Sequence, residues 1–317
     1  MKAETPPDLS IIIVSWNASD YLRECLQSIR EEGLSGKIEV IVVDNASDDN
    51  SVGMVKEQFP ETVLLCNSEN LGFAKANNLG INVCQGRYIA LVNSDVHILN
   101  GCLRTLVEFL EGHASVGLVG PFIIGADGRQ QLSCRAAPTL WNMTCRALAL
   151  DSIFPKSGLF NRYFMGDWDH ASTASVDILS GCFWLTSRFA LDSVGVLDES
   201  FFIYGEDMDW CKRFHDAGWD VVFIPQAKAI HYGGASSSNS PTRFFVEKQK
   251  ADLQYWRKHH PGLPSALYSI IAVCHHSIRV LGYSIKTIAY RGRGIKPWYK
   301  VRRSAACLAT LFGHATH

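Results

Sequence analysis

Along the first hundred residues apolar side chains come in short continuous runs, and each run stops in a polar cluster. Ile11-Ile12-Ile13-Val14 ends in Ser15-Trp16-Asn17, and Ile41-Val42-Val43 ends in Asp44-Asn45. Val63-Leu64-Leu65-Cys66 ends in Asn67-Ser68 with Asn70 beyond, and Ile89-Ala90-Leu91-Val92 ends in Asn93-Ser94-Asp95. Runs of this length predict strands buried on both faces. Between them the period changes. Tyr21, Leu22, Cys25, Leu26 and Ile29 recur at helical spacing, with Ser19 or Asp20 placed to cap the start. A short helix is expected near 51–58, and "GFAKANNLGINVC" and "NGCLRTLVEFLEGH" read as longer ones. Strands alternating with helices predict an α/β domain with a mainly parallel sheet and helices on both faces. Ligands of such sheets sit at the carboxyl ends of the strands. The four polar clusters are therefore expected along one rim.

The pattern continues less regularly. "VDILSGCFWLTS" reads as a strand interrupted at Ser180-Gly181, "FALDSVG" as a short helix, and "LDESFFIYGEDMDWCKRFHDAG" as a loop running into a helix. "WDVVFIPQAKAIHYGG" is a strand ending at His231, followed by the Gly/Ser-rich stretch 233–240, expected to act as a lid. "TRFFVEKQKADLQYWRKHHPG" is a helix ended before Pro261. Beyond it Leu267, Ile270, Ile271, Val280, Leu281, Ile285 and Ile288 are spaced for an amphipathic helix. The expected organisation is a domain over 1–260, with halves at about 9–120 and 121–260, and a helical tail over 261–317.

Composition adds a charge asymmetry. The chain has 317 residues, 47% hydrophobic, enough for a substantial core. The net charge of −1 conceals −11 over residues 1–252 and +10 over the rest, because no Asp or Glu follows Asp252. The basic, aromatic-containing tail suits an interfacial anchor on anionic lipid; a helix packed on the main domain and a homodimer contact are competing readings. No nucleic-acid recognition module is visible. The ten cysteines form no C-x-x-C pair and read as reduced thiols packed as small apolar groups. "MKAETPPDLS" carries no apolar signal region, and no apolar run approaches the roughly 18 residues of a membrane span. A cytoplasmic protein, peripheral on the inner face of the cell membrane, is expected.

The candidate chemistry starts from an absence. Neither G-x-G-x-x-G nor G-x-x-x-x-G-K-[ST] occurs, so phosphates must be held in another way. A carboxylate at a strand end, Asp95, can hold a divalent cation that bridges a diphosphate, and oxygen ligands suit Mg2+ or Mn2+. Asp44 fits two roles equally: acceptor for a base or sugar, or the start of an Asx-turn. Glu206, Asp207 and Asp209 crowd the start of a helix. Dipole complementation explains one or two acids there; a general base explains the third better. Asp209 is expected as a cap or a solvated residue. "GDWDH" (166–170) contains a literal D-x-D but lacks a preceding apolar strand.

Taken in order, "SIIIVSWN", "VVDNASDDNS", "NLGFAKANNLGI" and "LVNSDV" resemble the nucleotide-sugar half of inverting glycosyltransferases of family 2, which have the GT-A fold. With N-S-D in place of D-x-D, the set is most similar to bacterial rhamnosyltransferase-like members, which build polysaccharide on lipid carriers. The resemblance spans about residues 9–260 and implies roles. Ser15, Trp16, Asn17 and Asp44 would frame base and ribose. Asn70, Gly72, Phe73, Ala74 and Asn77 would form the loop and helix start beside the nucleotide, with Gly72 where backbone approaches the ligand. Asn93 and Ser94 would contact ribose or diphosphate, and Asp95 would bind the metal with His231 as a further ligand. Asp207 would be the catalytic base and Glu206 would orient acceptor hydroxyls. Lys75 is a phosphate contact or a solvated residue; Tyr204 and Trp210 are a sugar platform or core.

The implied partners are a nucleoside-diphosphate sugar of dTDP or UDP type, rhamnose first and galactofuranose or mannose as alternatives, and a glycan or polyprenyl-diphosphate-linked saccharide acceptor. Two other classes compete: a non-catalytic sugar-nucleotide-binding module, and a nucleotidyltransferase, which would need a basic Gly-rich loop that "SWNASDY" does not supply.

Overall fold

The computed structural model describes residues 7–33, 38–233, 241–289 and 298–313. The chain runs β1 (Leu9–Ser15), α1 (Ser19–Glu31), β2 (Ile38–Asp44), α2 (Ser51–Gln58), β3 (Val63–Cys66), α3 (Phe73–Val83), β4 (Tyr88–Asn93), β5 (Val96–Ile98), α4 (Cys102–Gly112) and β6 (Val116–Gly125). It continues through β7 (Cys134–Arg135), α5 (Leu140–Ala147), α6 (Leu150–Ile153), β8 (Ala174–Ser175), β9 (Ile178–Leu179), β10 (Phe183–Ser187), α7 (Arg188–Val194), α8 (Glu206–Asp216) and β11 (Asp220–His231). Three helices follow: α9 (Pro241–His259), α10 (Leu263–Ala289) and α11 (Trp298–Leu311). The Gly/Ser-rich stretch read as a lid lies outside the described residues apart from Gly233.

Two compact units result. The larger comprises Met1–Arg135, Asp169–Phe202 and Glu206–Ser236; the smaller comprises Ala136–Trp168, Ile203–Gly205 and Ser237–His317. Helix α9 thus groups with α10 and α11, where the sequence suggested a boundary after residue 260.

The larger unit is built on a nine-stranded sheet of order β3-β2-β1-β4-β10-β6-β11-β5, with β8 beside β11. From β3 to β4 all pairings are parallel, as is β6 with β11. Strand β10 runs antiparallel to both β4 and β6. The interrupted strand of the sequence is two elements: β9 leaves for a two-stranded sheet with β7, and β10 enters the main sheet. Hydrophobic runs show that a strand is buried but not which way it points, so this reversal has no signature in the sequence.

Burial explains the continuous runs. Ile11 and Ile13 of β1 face a cluster with Leu22, Cys25, Leu26 and Ile29 of α1, Met54 and Val55 of α2, and Leu103, Leu106 and Leu110 of α4. Ile12 points to the other side, where Gly80 of α3 lies so close that an added Cβ would stand 2.4 Å from Ile12 Cγ2. Helices therefore cover both faces. Two caps come from distant residues. Neither Ser19 nor Asp20 caps α1 with its side chain; the Ser19 N–H donates to Asp49 Oδ2, 2.9 Å away, from the β2–α2 loop. Glu32, buried just past α1, accepts from the N–H groups of Gly101 and Leu103 at 2.7 Å each and so caps α4.

In the smaller unit α5 begins with a Thr139–Asn142 capping box, and α10 packs against α5, α9 and α11. Trp256 stacks on Tyr268 with centroids 4.9 Å apart. Gln249 bridges two residues of α10, donating to Tyr268 Oη and accepting from His276 Nε2 at 2.8 Å.

Candidate active site

Strand register brings the polar clusters to one edge. Ser15 lies opposite Asp44, Asp44 opposite Cys66, and Val14 opposite Asn93. Backbone bonds continue the alignment beyond the strands, with Asn45 N–H donating to Ser15 O and Asn67 N–H to Asp44 O. Ser15 and Asp44 are buried there. Asp44 Oδ2 accepts from Ser47 N–H at 3.0 Å, the Asx-turn, while Oδ1 is buried without a hydrogen-bond partner among the described residues. Ser15 Oγ is in the same state. Buried polar atoms are nearly always paired. Two unpaired ones on adjacent strand ends mark a place for a polar ligand, so Asp44 serves the turn with one oxygen and keeps the other.

Around this point the loops are held by a carboxamide network. Asn45 Nδ2 donates to Asn70 Oδ1 (2.9 Å) and Gly72 O (3.2 Å), and Asn45 Oδ1 accepts from Asn67 Nδ2 and Leu71 N–H. Asn70 Oδ1 also accepts from Gly72 N–H at 3.0 Å. Asn17 Oδ1 accepts from Asp48 N–H at 2.7 Å, tying the β1 loop to the β2 loop. Asn45 carries this scaffold, and sequence reasoning gave it no part; a lone Asn after a strand looks like any loop start.

Gly72 is constrained by the protein itself. Its φ is +82°, and an added Cβ would stand 2.3 Å from Phe202 O; Phe73 N–H donates to the same carbonyl at 2.7 Å. The close approach seen at Gly72 is that of the Phe202 backbone. Ala74 and Asn77 are buried in the helix start, with Asn77 Nδ2 donating to Phe73 O. Phe73 lies edge-on to Trp184. Lys75 is exposed. Trp16 and Asn93 are half-buried at the edge, and Ser94 is buried.

Asp95 meets His231 through the sheet. Antiparallel pairing of Val96 with His231 brings Asp95, one residue earlier, alongside, and Tyr232 N–H donates to Asp95 O. Asp95 Oδ1 is 3.2 Å from His231 Nε2. His231 Nδ1 lies 2.9 Å from Gln131 Oε1. One ring nitrogen of His231 thus faces Gln131 and the other faces Asp95, which fixes the orientation of the imidazole. Gln131 is fixed in turn, its N–H donating to Ile123 O on β6. Such an outer partner sets the tautomer of a ligating histidine, and Gln131 was not foreseen.

Oxygen and imidazole donors fit Mg2+ or Mn2+. Among the described residues no group of three or more His, Cys, Asp or Glu could hold a metal. A pair fits a cation that takes its other ligands from diphosphate and water. The literal D-x-D belongs to no such group, and Asp169 Oδ1 accepts from Ala171 N–H in a turn.

The acidic helix start separates into distinct environments. Asp207 pairs with Arg135 through Oδ2, and its Oδ1 accepts from Met208 N–H at 2.8 Å. The two side chains are 13% and 14% exposed, sheltered yet open to a ligand. Asp209, expected as a cap or solvated, is fully buried; Arg213 Nε donates to it at 2.9 Å while its other nitrogens donate to Val194 O and Val196 O. Glu206 is buried. Two arginines thus offset the mutual repulsion of the three acids. Trp210 is core, edge-on to Trp184 and Phe214.

Cys182 precedes β10 and lies against the end of β4. Its carbonyl accepts from Asn93 N–H. Burial pushes the thiol up to about 12; the Ser180 hydroxyl lowers it, Asp95 raises it and Arg135 lowers it. The charges of Asp95 and Arg135 thus act on this thiol in opposite directions. Eight of the ten cysteines are buried, as packed small apolar groups would be.

Comparison with known proteins identifies the family. The family model "Glycosyl transferase family 2" matches residues 10–195. The chain is 26% identical over 265 residues to N-acetylglucosaminyl-diphospho-decaprenol L-rhamnosyltransferase of Mycobacterium tuberculosis, covering 80% of this chain and 85% of that one. It is 25% identical over 280 residues to dTDP-rhamnosyl transferase RfbF of Shigella flexneri, covering 84% and 86%. Among solved structures it resembles the mannosyltransferase PcManGT of Pyrobaculum calidifontis in complex with GDP-Man and Mn2+, with TM-score 0.54, 18% identity, and 99% and 77% coverage. It also resembles residues 1–349 of S. aureus TarS with UDP, with TM-score 0.52, 14% identity, and 98% and 93% coverage. Those two likenesses establish the fold; the family match spans more than half of the chain, and the protein belongs to glycosyl transferase family 2, with a GT-A fold and a resemblance to bacterial rhamnosyltransferases.

Proposed function

We propose that the protein transfers a sugar, L-rhamnose from dTDP-rhamnose as the first candidate, to a hydroxyl of a lipid-diphosphate-linked saccharide at the cytoplasmic face of a membrane. The observation that carries this reading is the strand edge itself: Asp95 beside His231, on the same sheet edge as the unpartnered buried Ser15 Oγ and Asp44 Oδ1. The sugar and the lipid carrier are supported by the two rhamnosyl-transferring relatives, one of whose names specifies a diphospho-decaprenol acceptor.

In this reading Ser15 and Asp44 bind the nucleoside, and Asn17, Asn45 and Asn70 hold the loops around it. Asp95 and His231 hold Mg2+ or Mn2+, which when bound offsets the charge of the diphosphate. Asp207 accepts the proton of the acceptor hydroxyl as its oxygen bonds to the anomeric carbon. The bond from that carbon to the diphosphate oxygen breaks, the nucleoside diphosphate leaves with the electron pair, and the anomeric configuration inverts. Glu206 orients the acceptor, and Arg135 positions the carboxylate of Asp207.

A thermal-shift panel of sugar nucleotides with and without Mn2+ tests the donor, because a ligand bound only by the folded state raises its apparent stability. A rise with dTDP-rhamnose that needs Mn2+ and is lost in Asp95→Ala, together with transfer to a prenyl-diphosphate saccharide, is expected. Stabilisation by another donor alone would replace rhamnose. Binding without any transfer would make the chain a sugar-nucleotide-binding module.

A further inference from the structure

Helix α10 is amphipathic the wrong way round for water. Its buried residues are Ser265, Tyr268, Ala272 and His276. Leu263, Leu267, Ile270, Ile278, Leu281, Ile285 and Ile288 are instead exposed, each between 39% and 71%. From Leu267 onward these positions, with exposed Cys274 between them, recur at steps of three or four and form one stripe. The stripe runs from Leu267 to Ile288 of this helix and so extends for roughly 32 Å. Lys286 is the charged residue among the exposed ones of this helix. The inward face is polar enough to be costly: burial lowers His276 to about 4, although Gln249 satisfies its Nε2. A soluble helix would bury the Leu and Ile face. Contiguous exposed apolar surface of this extent marks an interaction site.

We infer that the Leu267–Ile288 stripe of α10 lies flat on an anionic membrane surface, with aliphatic side chains among the acyl chains and basic residues at the headgroups. Charge complementarity selects this occupant. No acid follows Asp252, whereas ten Lys or Arg do. Trp298 and Tyr299 open α11 exposed, as aromatics with one polar end are in a membrane interface. A second copy would bring two segments of the same positive charge together, which opposes a self-interface. No described helix is long and apolar enough to cross a membrane, and binding along the surface requires none. The inference rests on the proposed function only in connecting this membrane with the lipid-borne acceptor; vesicle binding is measured without sugar transfer, so either can fail alone.

The test is co-sedimentation of the full chain with phosphatidylglycerol/phosphatidylcholine vesicles and with phosphatidylcholine alone. The expected result is partition onto anionic vesicles at least tenfold above neutral ones, falling as salt rises. The triple variant Ile270→Gln/Leu281→Gln/Ile285→Gln should lose at least tenfold in partition with unchanged circular dichroism and unchanged nucleotide binding. A second variant, Lys286→Glu/Arg302→Glu, should lose the preference for anionic lipid while keeping the apolar stripe. Partition unaltered in the triple variant overturns the inference. So does a chain that stays in the supernatant, or one that sediments as a dimer in the ultracentrifuge and becomes monomeric in the triple variant, since the stripe would then be a self-interface.

Discussion

The guanidinium of Arg135 pairs with the carboxylate of Asp207 across 72 residues of sequence. The pair is made by β7, whose Arg135 stands opposite Ile178 of β9, and by the first turn of α8. The planar fork of an arginine engages a carboxylate in a defined geometry, so Arg135 fixes the position of Asp207. Asp207→Asn should lower kcat by about 10²–10⁴-fold, the usual worth of a general base, with donor affinity by calorimetry unchanged. Arg135→Lys keeps the charge but loses the planar fork, and should retain more activity than Arg135→Ala. Near-normal turnover in Asp207→Asn would falsify the base assignment.

Removing Asp95 and removing Gln131 should differ in kind. Asp95→Ala takes away a ligand and is expected to abolish stimulation of turnover by Mn2+. Gln131→Ala leaves Asp95 and His231 in place but frees the His231 ring, and should weaken Mn2+ affinity by about 10–100-fold, as losses of such outer partners do. Metal titrations of turnover, with donor saturating, distinguish the two. Equal affinity in wild type and Gln131→Ala would mean that His231 takes no part in binding the cation.

Asp44 permits a substitution that spares the turn. In Asp44→Asn the amide oxygen can still accept from Ser47 N–H, while an NH2 replaces the unpartnered Oδ1. Apo stability should change little, and nucleoside diphosphate binding should weaken by about 1–3 kcal/mol, the cost of losing a buried hydrogen bond. Thermal unfolding and calorimetry report the two effects separately. A large fall in apo Tm with unchanged nucleotide affinity would assign Asp44 to structure alone.

Gly72 is constrained twice. Its positive φ strains any other residue, and the Phe202 carbonyl leaves no room for a Cβ. Gly72→Ala should destabilise the protein by about 2 kcal/mol or more, read from the denaturation midpoint. A neutral result would require Phe202 to move, and the Phe73 N–H would then lose its partner.

The α10 histidines predict an acid limit for the helices packed around them. Burial lowers His275 to about 3, helped by Arg279, His276 and Arg146; burial lowers His276 to about 4, helped by Arg279 and Arg303 and opposed by Asp252. Their folded values lie below the unfolded one of about 6.5. Unfolded chain therefore binds more protons in that window, and stability falls as pH drops from about 6.5 towards 4. Tm measured from pH 7 to 4 should decline, and the decline should be shallower in His275→Asn/His276→Asn. The slope is diagnostic, whatever the offset the double variant introduces.

Much of the catalytic half was legible because it is local. Each strand of the β1–β4 set is one unbroken apolar run, and each polar cluster follows directly, so parallel register alone aligns them at one edge. The placement of Asp95 at that edge was legible for the same reason. What the chain order hides is every pairing made across the sheet. That His231 meets Asp95 depends on β11 lying antiparallel to β5, and that Gln131 and Arg135 reach the site depends on the turn after β6 and on β7 joining β9. A single Arg or Gln in a polar stretch carries no periodic signal, because its partner lies 72 residues away for Arg135 and 100 for Gln131. The tail shows the same division in another form. Its apolar residues read as one amphipathic set in sequence, but which face α10 turns inward was decided by packing against α5, α9 and α11. That packing buried Tyr268 and His276 and left the leucines and isoleucines outside.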